Sequence, residues 1–116
     1  MMNEAQRLAV VSDLLELAKP LDEIAKQIAA MDWDYEGTGV GLQRQHLRTM
    51  LHRFLENLIT SVDIEAWANL IEGREDVYFC GDGEERIEEV LHELANPLLT
   101  QPLDRNRARE LLVCLD

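Results

Sequence analysis

Apolar residues recur every three to four positions along most of the 116-residue chain, and this spacing is what most restricts its fold. A helix that carries such a stripe must bury it against another element. The spacing predicts helical stripes over residues 8–18, 21–28, 47–59, 64–71, 87–94 and 108–115. We therefore expect an all-α fold, an irregular bundle of five or six helices, in a single helical domain of residues 1–116.

Residues with strong terminal preferences predict where several of these helices begin and end. Pro20 can end a first helix, which we expect over residues 4–19, and can also open the second one. Thr60 or Ser61 can cap the helix whose apolar stripe spans residues 64–71, and Gly73 is suited to the end of that helix. Asp104 is the expected cap of the last helix.

Two segments interrupt the helical pattern. Residues 32–41 contain three glycines within five positions, which makes a regular element unexpected there. Residues 77–80 alone have a strand-like composition, and a turn signature follows them. Because no partner strand is evident, we expect residues 77–80 to form an ordered loop or a short extended piece.

The composition suits a small protein of the cytoplasm. Hydrophobic residues make up 47% of the chain and aromatic residues 5%, which predicts an aliphatic core that needs no metal or disulfide. No apolar run approaches the roughly 20 residues of a membrane span, and the first residues lack the pattern of a signal peptide. Cys80 and Cys114 lack metal-ligand spacing and are expected to be reduced thiols.

The formal net charge is −12, from 23 acidic and 11 basic side chains. A charge of this sign and size repels nucleic acid backbones and anionic membranes. The charge therefore argues against nucleic-acid and membrane partners and favours a basic protein partner.

The acidity is concentrated in residues 74–93, which carry eight acidic side chains against two arginines, half of the total net charge. Glu85, Glu88 and Glu89 share the helix face opposite the apolar stripe. Repulsion between like charges at this spacing costs only about 0.2–0.5 kcal/mol per pair, so a solvated outer face would explain the cluster. The functional interpretation is a docking surface for a basic partner, with binding residues Tyr78, Asp82, Glu85, Glu88 and Glu89.

The third helix has the opposite charge. Arg44, Arg48 and Arg53 alternate there with His46 and His52. Pairing with the acidic helices of the same chain is the expected use of these groups. A site for phosphate or RNA is the alternative, which the charge of the remaining protein disfavours.

The segment from Asp32 to Gly41 contains two weaker motifs. Residues 32–37 place carboxylates as in the first half of a calcium-binding EF-hand loop, but its twelfth position is Gln43, which cannot supply the bidentate carboxylate. The glycines at 37, 39 and 41 resemble a phosphate-binding turn, although no strand precedes them and no Gly-Lys-Ser/Thr follows. An acidic loop is the preferred interpretation, and a weak calcium-responsive protein is a further hypothesis.

No catalytic arrangement is evident. Glu89 and His92 have the spacing found in di-iron helical bundles, but those sites need a second such pair and two more glutamates. The three histidines lack a nucleophile–base arrangement, and nothing indicates a pocket that would raise a carboxyl pKa. We expect no enzyme activity, no cofactor and no metal site.

Residues 64–76 and 91–97, which include Trp67 and the sequence His-Glu-Leu-Ala-Asn-Pro, resemble small acidic bacterial immunity-type proteins associated with polymorphic toxins. The resemblance covers the C-terminal half and implies a bacterial cytosolic protein that neutralises its partner by occlusion. The predicted function is therefore a cytosolic inhibitory protein that covers a basic partner, such as a toxin, with an acidic face. A helical adaptor or oligomerisation module is the alternative, and the oligomeric state stays open.

Overall fold

A computed structural model describes residues 3–31, 39–80 and 83–115. Within these ranges the chain is mainly helical, which confirms the expected all-α bundle. The helices are α1 (Glu4–Glu16), α2 (Leu21–Ala29), α3 (Arg44–Leu55), α4 (Ser61–Ile71), α5 (Glu84–Ala95) and α6 (Arg105–Cys114). Two short strands accompany them, β1 (Val40–Leu42) and β2 (Val77–Phe79).

The predicted helix caps at Thr60 and Asp104 are confirmed. The Thr60 side chain accepts a hydrogen bond from the Asp63 amide, and the Asp63 side chain accepts one from the Thr60 amide in return. Asp104 accepts from the Arg107 amide at 2.7 Å. Gly73 follows α4 with a φ of +82°, a left-handed conformation in which glycine carries little strain.

Two helices end earlier than their apolar stripes suggest. Helix α1 stops at Glu16, since Leu17 turns the chain at a φ of +48°. Helix α3 stops at Leu55, and Asn57 at a φ of +63° then redirects the chain toward α4. The prediction that Leu58 faces the core is wrong, because this reversal leaves its side chain 68% exposed.

One aliphatic core joins the helices. Leu14, Met50, Ile64 and Leu91 are among its fully or almost fully buried members. Trp67 is completely buried, and its indole N–H donates to the Leu14 carbonyl at 2.7 Å. This hydrogen bond satisfies the polar atom of the ring and fixes α4 against α1.

The prediction that residues 77–80 have no partner strand is wrong. Val77–Phe79 pairs in parallel with Val40–Leu42, with Val40 opposite Val77 and Leu42 opposite Phe79. The glycines that argued against a strand permit this pairing: a Cβ on Gly39 would lie 2.6 Å from the Asp76 carbonyl oxygen. A Cβ on Gly41 would lie 3.0 Å from that of Cys80. Glycine is therefore required at position 39, and at position 41 it avoids a tight contact with the Cys80 side chain.

Candidate functional site

A groove of about 620 Å³ lies between the end of α4, strand β2 and helix α5. Its lining combines apolar and charged side chains. The apolar members are Ile71, Val77, Phe79 and Leu91, and the charged or titratable members are Glu72, Arg74, Glu85, Glu88, Glu89 and His92. Such a surface offers apolar contact together with an acidic border, which suits a ligand that is both apolar and cationic.

The acidic face, which we define as Glu85, Glu88 and Glu89, lies on this groove. All three residues are exposed because α5 turns Ile87 and Val90 into the core. Within the part of the chain that the structure describes, Glu89 has one salt bridge, to Arg86 at 4.0 Å, and both side chains are more than half exposed. Within residues 3–31, 39–80 and 83–115, no salt bridge of 4.0 Å or less reaches Glu85 or Glu88. These carboxylates therefore present their charge to solvent.

The other two predicted binding residues are placed differently. Tyr78 is 52% exposed, but it is not part of the groove lining. Successive residues of a strand point to opposite faces, and its neighbours Val77 and Phe79 line the groove. Asp82 lies outside the residues that the structure describes. The structure thus brings together three of the five predicted residues.

Asp76 belongs to the same acidic stretch of sequence but lies in the interior, 1% exposed. Arg74 donates two hydrogen bonds of 2.8 Å to its carboxylate, and Arg7 of α1 donates a third at 3.1 Å. Burial alone would raise the pKa of Asp76, but the hydrogen bonds and charges of Arg74 and Arg7 lower this pKa below its ordinary value. This ion-pair cluster connects α1 to the residues just before β2.

Glu93 is a second acidic residue with an internal partner. Arg107 of α6 donates to both of its carboxylate oxygens, at 2.8 and 2.6 Å. These hydrogen bonds raise the pKa of Arg107 above its ordinary value. The last turn of α5 is thereby joined to α6, whereas its first two turns carry the acidic face.

Glu72, His92 and Asn96 form a polar group at one end of the groove. His92 Nδ1 lies 3.0 Å from one carboxylate oxygen of Glu72, and Asn96 donates to the other at 3.0 Å. The His92 side chain thus pairs with the residue just after α4. Among the described residues no cluster of three or more histidine, cysteine, aspartate or glutamate side chains could hold a metal ion.

Arginines of α3 bind helix ends. Arg48 donates to the Leu112 carbonyl at 3.2 Å, and Arg53 donates to the Glu16 carbonyl at 3.1 Å. These carbonyls lie in the last turns of α6 and α1, where a cation interacts favourably with the helix dipole. Burial lowers the pKa of His46, and the charge of Glu16 partly offsets this effect. The contacts of Arg48 and Arg53 stabilise the bundle and occupy groups that the phosphate hypothesis would need.

The glycine-containing loop is described only from residue 39 onward, so the proposed calcium ligands at positions 32, 34 and 36 lie outside the described residues. The part that resembled a phosphate-binding turn packs against the protein itself. The Val40 amide donates to the Asp76 carbonyl at 2.8 Å, and Gly39 lies against that same carbonyl. The Val40 N–H group is therefore engaged within the sheet.

The apolar part of the groove was not predicted from the sequence. Val77 and Phe79 flank Tyr78 at alternate positions, which is the signal by which one face of a strand can be recognised. Ile71 and Leu91 were predicted as buried helix residues, and they are buried while also bordering the groove. The strand pairing is what brings these four side chains to one place.

Comparison of the chain with protein-family models, curated proteins and solved structures finds no match. No helix among the described residues is long and apolar enough to cross a membrane.

Proposed function

We propose that this chain is an inhibitory protein of the immunity type, which binds a basic partner such as a toxin and neutralises it by occlusion. One observation supports the proposal most strongly: three exposed carboxylates border a groove that also has an apolar lining. The resemblance of residues 64–76 and 91–97 to immunity-type proteins agrees with it, and with a bacterial, cytoplasmic setting.

The physical basis of recognition is a lysine or arginine side chain with its two chemically different parts. The aliphatic stem can pack on the partly exposed Val77 and Phe79, while the charged end meets the acidic face. The net charge of −12 adds long-range attraction for a basic partner. Electrostatic steering of this kind raises association rates and makes them sensitive to salt.

Charge reversal of the acidic face tests the proposal. The E85K/E88K/E89K variant is compared with the wild type and with E23K/E56K/E110K, which changes the net charge equally at exposed positions on α2, just after α3 and on α6. Each protein is used to capture partners from a lysate of the source cells, and circular dichroism verifies the fold. We expect a basic protein that the wild type and the control retain at low salt and that the acidic-face variant loses. Equal capture by all three proteins would contradict the proposal.

Exposed aliphatic residues favour the helical adaptor or oligomerisation module as a second candidate. Leu98 is fully exposed, and Leu99 beside it is 79% exposed, both in the segment between α5 and α6. A partner bound through these residues would be little affected by salt. Sedimentation equilibrium tests this function: a mass that rises with concentration in the wild type and not in L98S/L99S supports it, whereas a constant monomer mass argues against self-association.

A further inference from the structure

The outer edge of β2 carries backbone groups that the sheet does not use. In the parallel pair, the Val40 amide donates to the Asp76 carbonyl at 2.8 Å, and the Cys80 amide donates to the Leu42 carbonyl at 3.0 Å. Backbone groups of successive strand residues point to alternate edges. Asp76, Tyr78 and Cys80 therefore face β1, and the N–H and C=O groups of Val77 and Phe79 point away from it.

These four backbone groups have no hydrogen-bond partner within the described parts of the chain. An open strand edge of this kind is a template for pairing with another strand. The side chains of the same two residues, Val77 and Phe79, line the groove. The open edge and the acidic face therefore belong to one surface.

We propose that the basic partner binds as an extended segment, which adds a third strand to the sheet along the outer edge of β2. This inference rests on the proposed function and specifies how the partner is held. The occupant is a stretch of protein with lysine or arginine at every second position. Main-chain hydrogen bonds to Val77 and Phe79 provide general affinity, and the groove selects the side chains.

The alternation of strand side chains explains why every second residue of the partner must be basic. In an added strand, residues at alternate positions point to the face on which Val77 and Phe79 lie. On that face, Val77 and Phe79 are partly exposed and offer contact to the aliphatic stems, and the acidic face lies on the same groove to meet the charges. The side chains at the remaining positions of the partner point away from the groove, so any residue type can occupy those positions.

Charge complementarity selects a basic occupant over a second copy of this chain. A second copy would bring the same carboxylates to the groove, and a net charge of −12 on each molecule would oppose their association. The contact is also short, because β2 has three residues. Its affinity therefore depends on the ionic contacts as well as on strand pairing.

The probe is a synthetic peptide of about nine residues in which lysine and threonine alternate, so that all lysines lie on one face of a strand. Two derivatives carry backbone N-methyl groups, either on every lysine or on every threonine. Both keep the charge of the parent peptide, but each loses the N–H donors of only one edge. We expect one derivative to bind at least about tenfold more weakly than the parent and the other to bind within about threefold of it, by calorimetry at low salt.

Hydrogen exchange provides a second readout. Binding of the parent peptide should slow the exchange of the Val77 and Phe79 amides, since both become donors to the added strand. Equal affinity of all three peptides, with unchanged exchange at Val77 and Phe79, would overturn strand addition and leave the acidic groove as a purely electrostatic site. Failure of the parent peptide to bind at low salt would also overturn it, and the capture experiment would then decide the proposed function separately.

Discussion

Asp76 and the acidic face lie within fourteen residues of each other in the sequence, yet the fold treats their charges in opposite ways. Asp76 is almost fully buried and binds two arginines with three hydrogen bonds. Glu85, Glu88 and Glu89 are exposed, and the one salt bridge that reaches them within the described residues joins Glu89 to Arg86 at 4.0 Å. A buried carboxylate must be paired to be tolerated, whereas an exposed one need not be.

This difference divides the acidic residues of the segment 74–93 into two groups. One group belongs to the architecture, because Asp76 and Glu93 connect neighbouring elements. The other group, the acidic face, is exposed on α5, and we expect it to contribute little to the free energy of unfolding. Substitutions that neutralise the carboxylates of each group should separate the two groups by their effect on the free energy of unfolding.

The largest effect is expected at Asp76. The D76N substitution keeps the shape of the side chain but removes its charge from beside two largely buried guanidinium groups. Removal of one partner from a buried ion pair costs about 3–5 kcal/mol, and we expect a loss of unfolding free energy in this range. Urea denaturation measures it, and a loss below about 1 kcal/mol would show that the cluster is not structural.

The stabilisation from Asp76 should also depend on pH. Because the pKa of Asp76 is lower in the folded protein than in the unfolded chain, the unfolded state takes up protons first as pH falls. The stabilisation by Asp76 is complete at pH values above its pKa in the unfolded chain, about 4, and is lost as the pH falls through its pKa in the folded protein. The difference in unfolding free energy between wild type and D76N should therefore be constant from about pH 7 to 5 and shrink below about pH 4. A difference that persists undiminished at pH 3 would assign the effect to packing.

A smaller effect is expected at Glu93, which lies between the two extremes. Its side chain is 14% exposed and accepts two hydrogen bonds from Arg107. The E93Q substitution removes the charge and one acceptor, and a loss of about 1.5 kcal/mol follows from the usual value of hydrogen bonds to charged groups. Thermal denaturation measures this loss. A destabilisation as large as that of D76N would mean that the exposure of a carboxylate does not determine how much it contributes to the free energy of unfolding.

The smallest effect is expected for the acidic face. The E85Q/E88Q/E89Q variant relieves repulsion between carboxylates three and four residues apart, worth about 0.2–0.5 kcal/mol per pair. It also removes Glu85 from the first turn of α5, where negative charge is favourable, so the two effects oppose each other. The free energy of unfolding should stay within about 0.5 kcal/mol of wild type in urea denaturation. A loss above about 1 kcal/mol would show that these residues, like Asp76, stabilise the fold.

The helices could be predicted from the sequence because their signals are local. The apolar period located the buried faces, and side-chain caps such as Thr60 and Asp104 marked two of the starts. The ends of α1 and α3 were harder to predict, since they are followed by Leu17 and Asn57 in left-handed backbone conformations. Leu17 in particular belongs to a residue type that carries no such signal.

The sheet and the groove depend on contacts between distant parts of the chain. Gly39 and Gly41 indicated a loop when considered locally, but in the fold they permit close contact with Asp76 and Cys80. The exposure of the three carboxylates could be predicted from the helical pattern of α5, because they lie on the face opposite Ile87. That Asp76 is buried could not be predicted, since charge alone does not show which acidic residue will meet Arg7, which lies 69 positions earlier in the chain.

The most direct test of the central claim is the affinity of the lysine–threonine peptide for three proteins at low salt, measured by calorimetry. The proteins are the wild type, E85Q/E88Q/E89Q and the control E23Q/E56Q/E110Q, which removes as many charges elsewhere on the surface. We expect the acidic-face variant to bind the peptide at least about tenfold more weakly than wild type, and the control to stay within about threefold of wild type. Equal losses in the two variants would contradict this expectation, because the peptide would then respond to total charge and not to the groove.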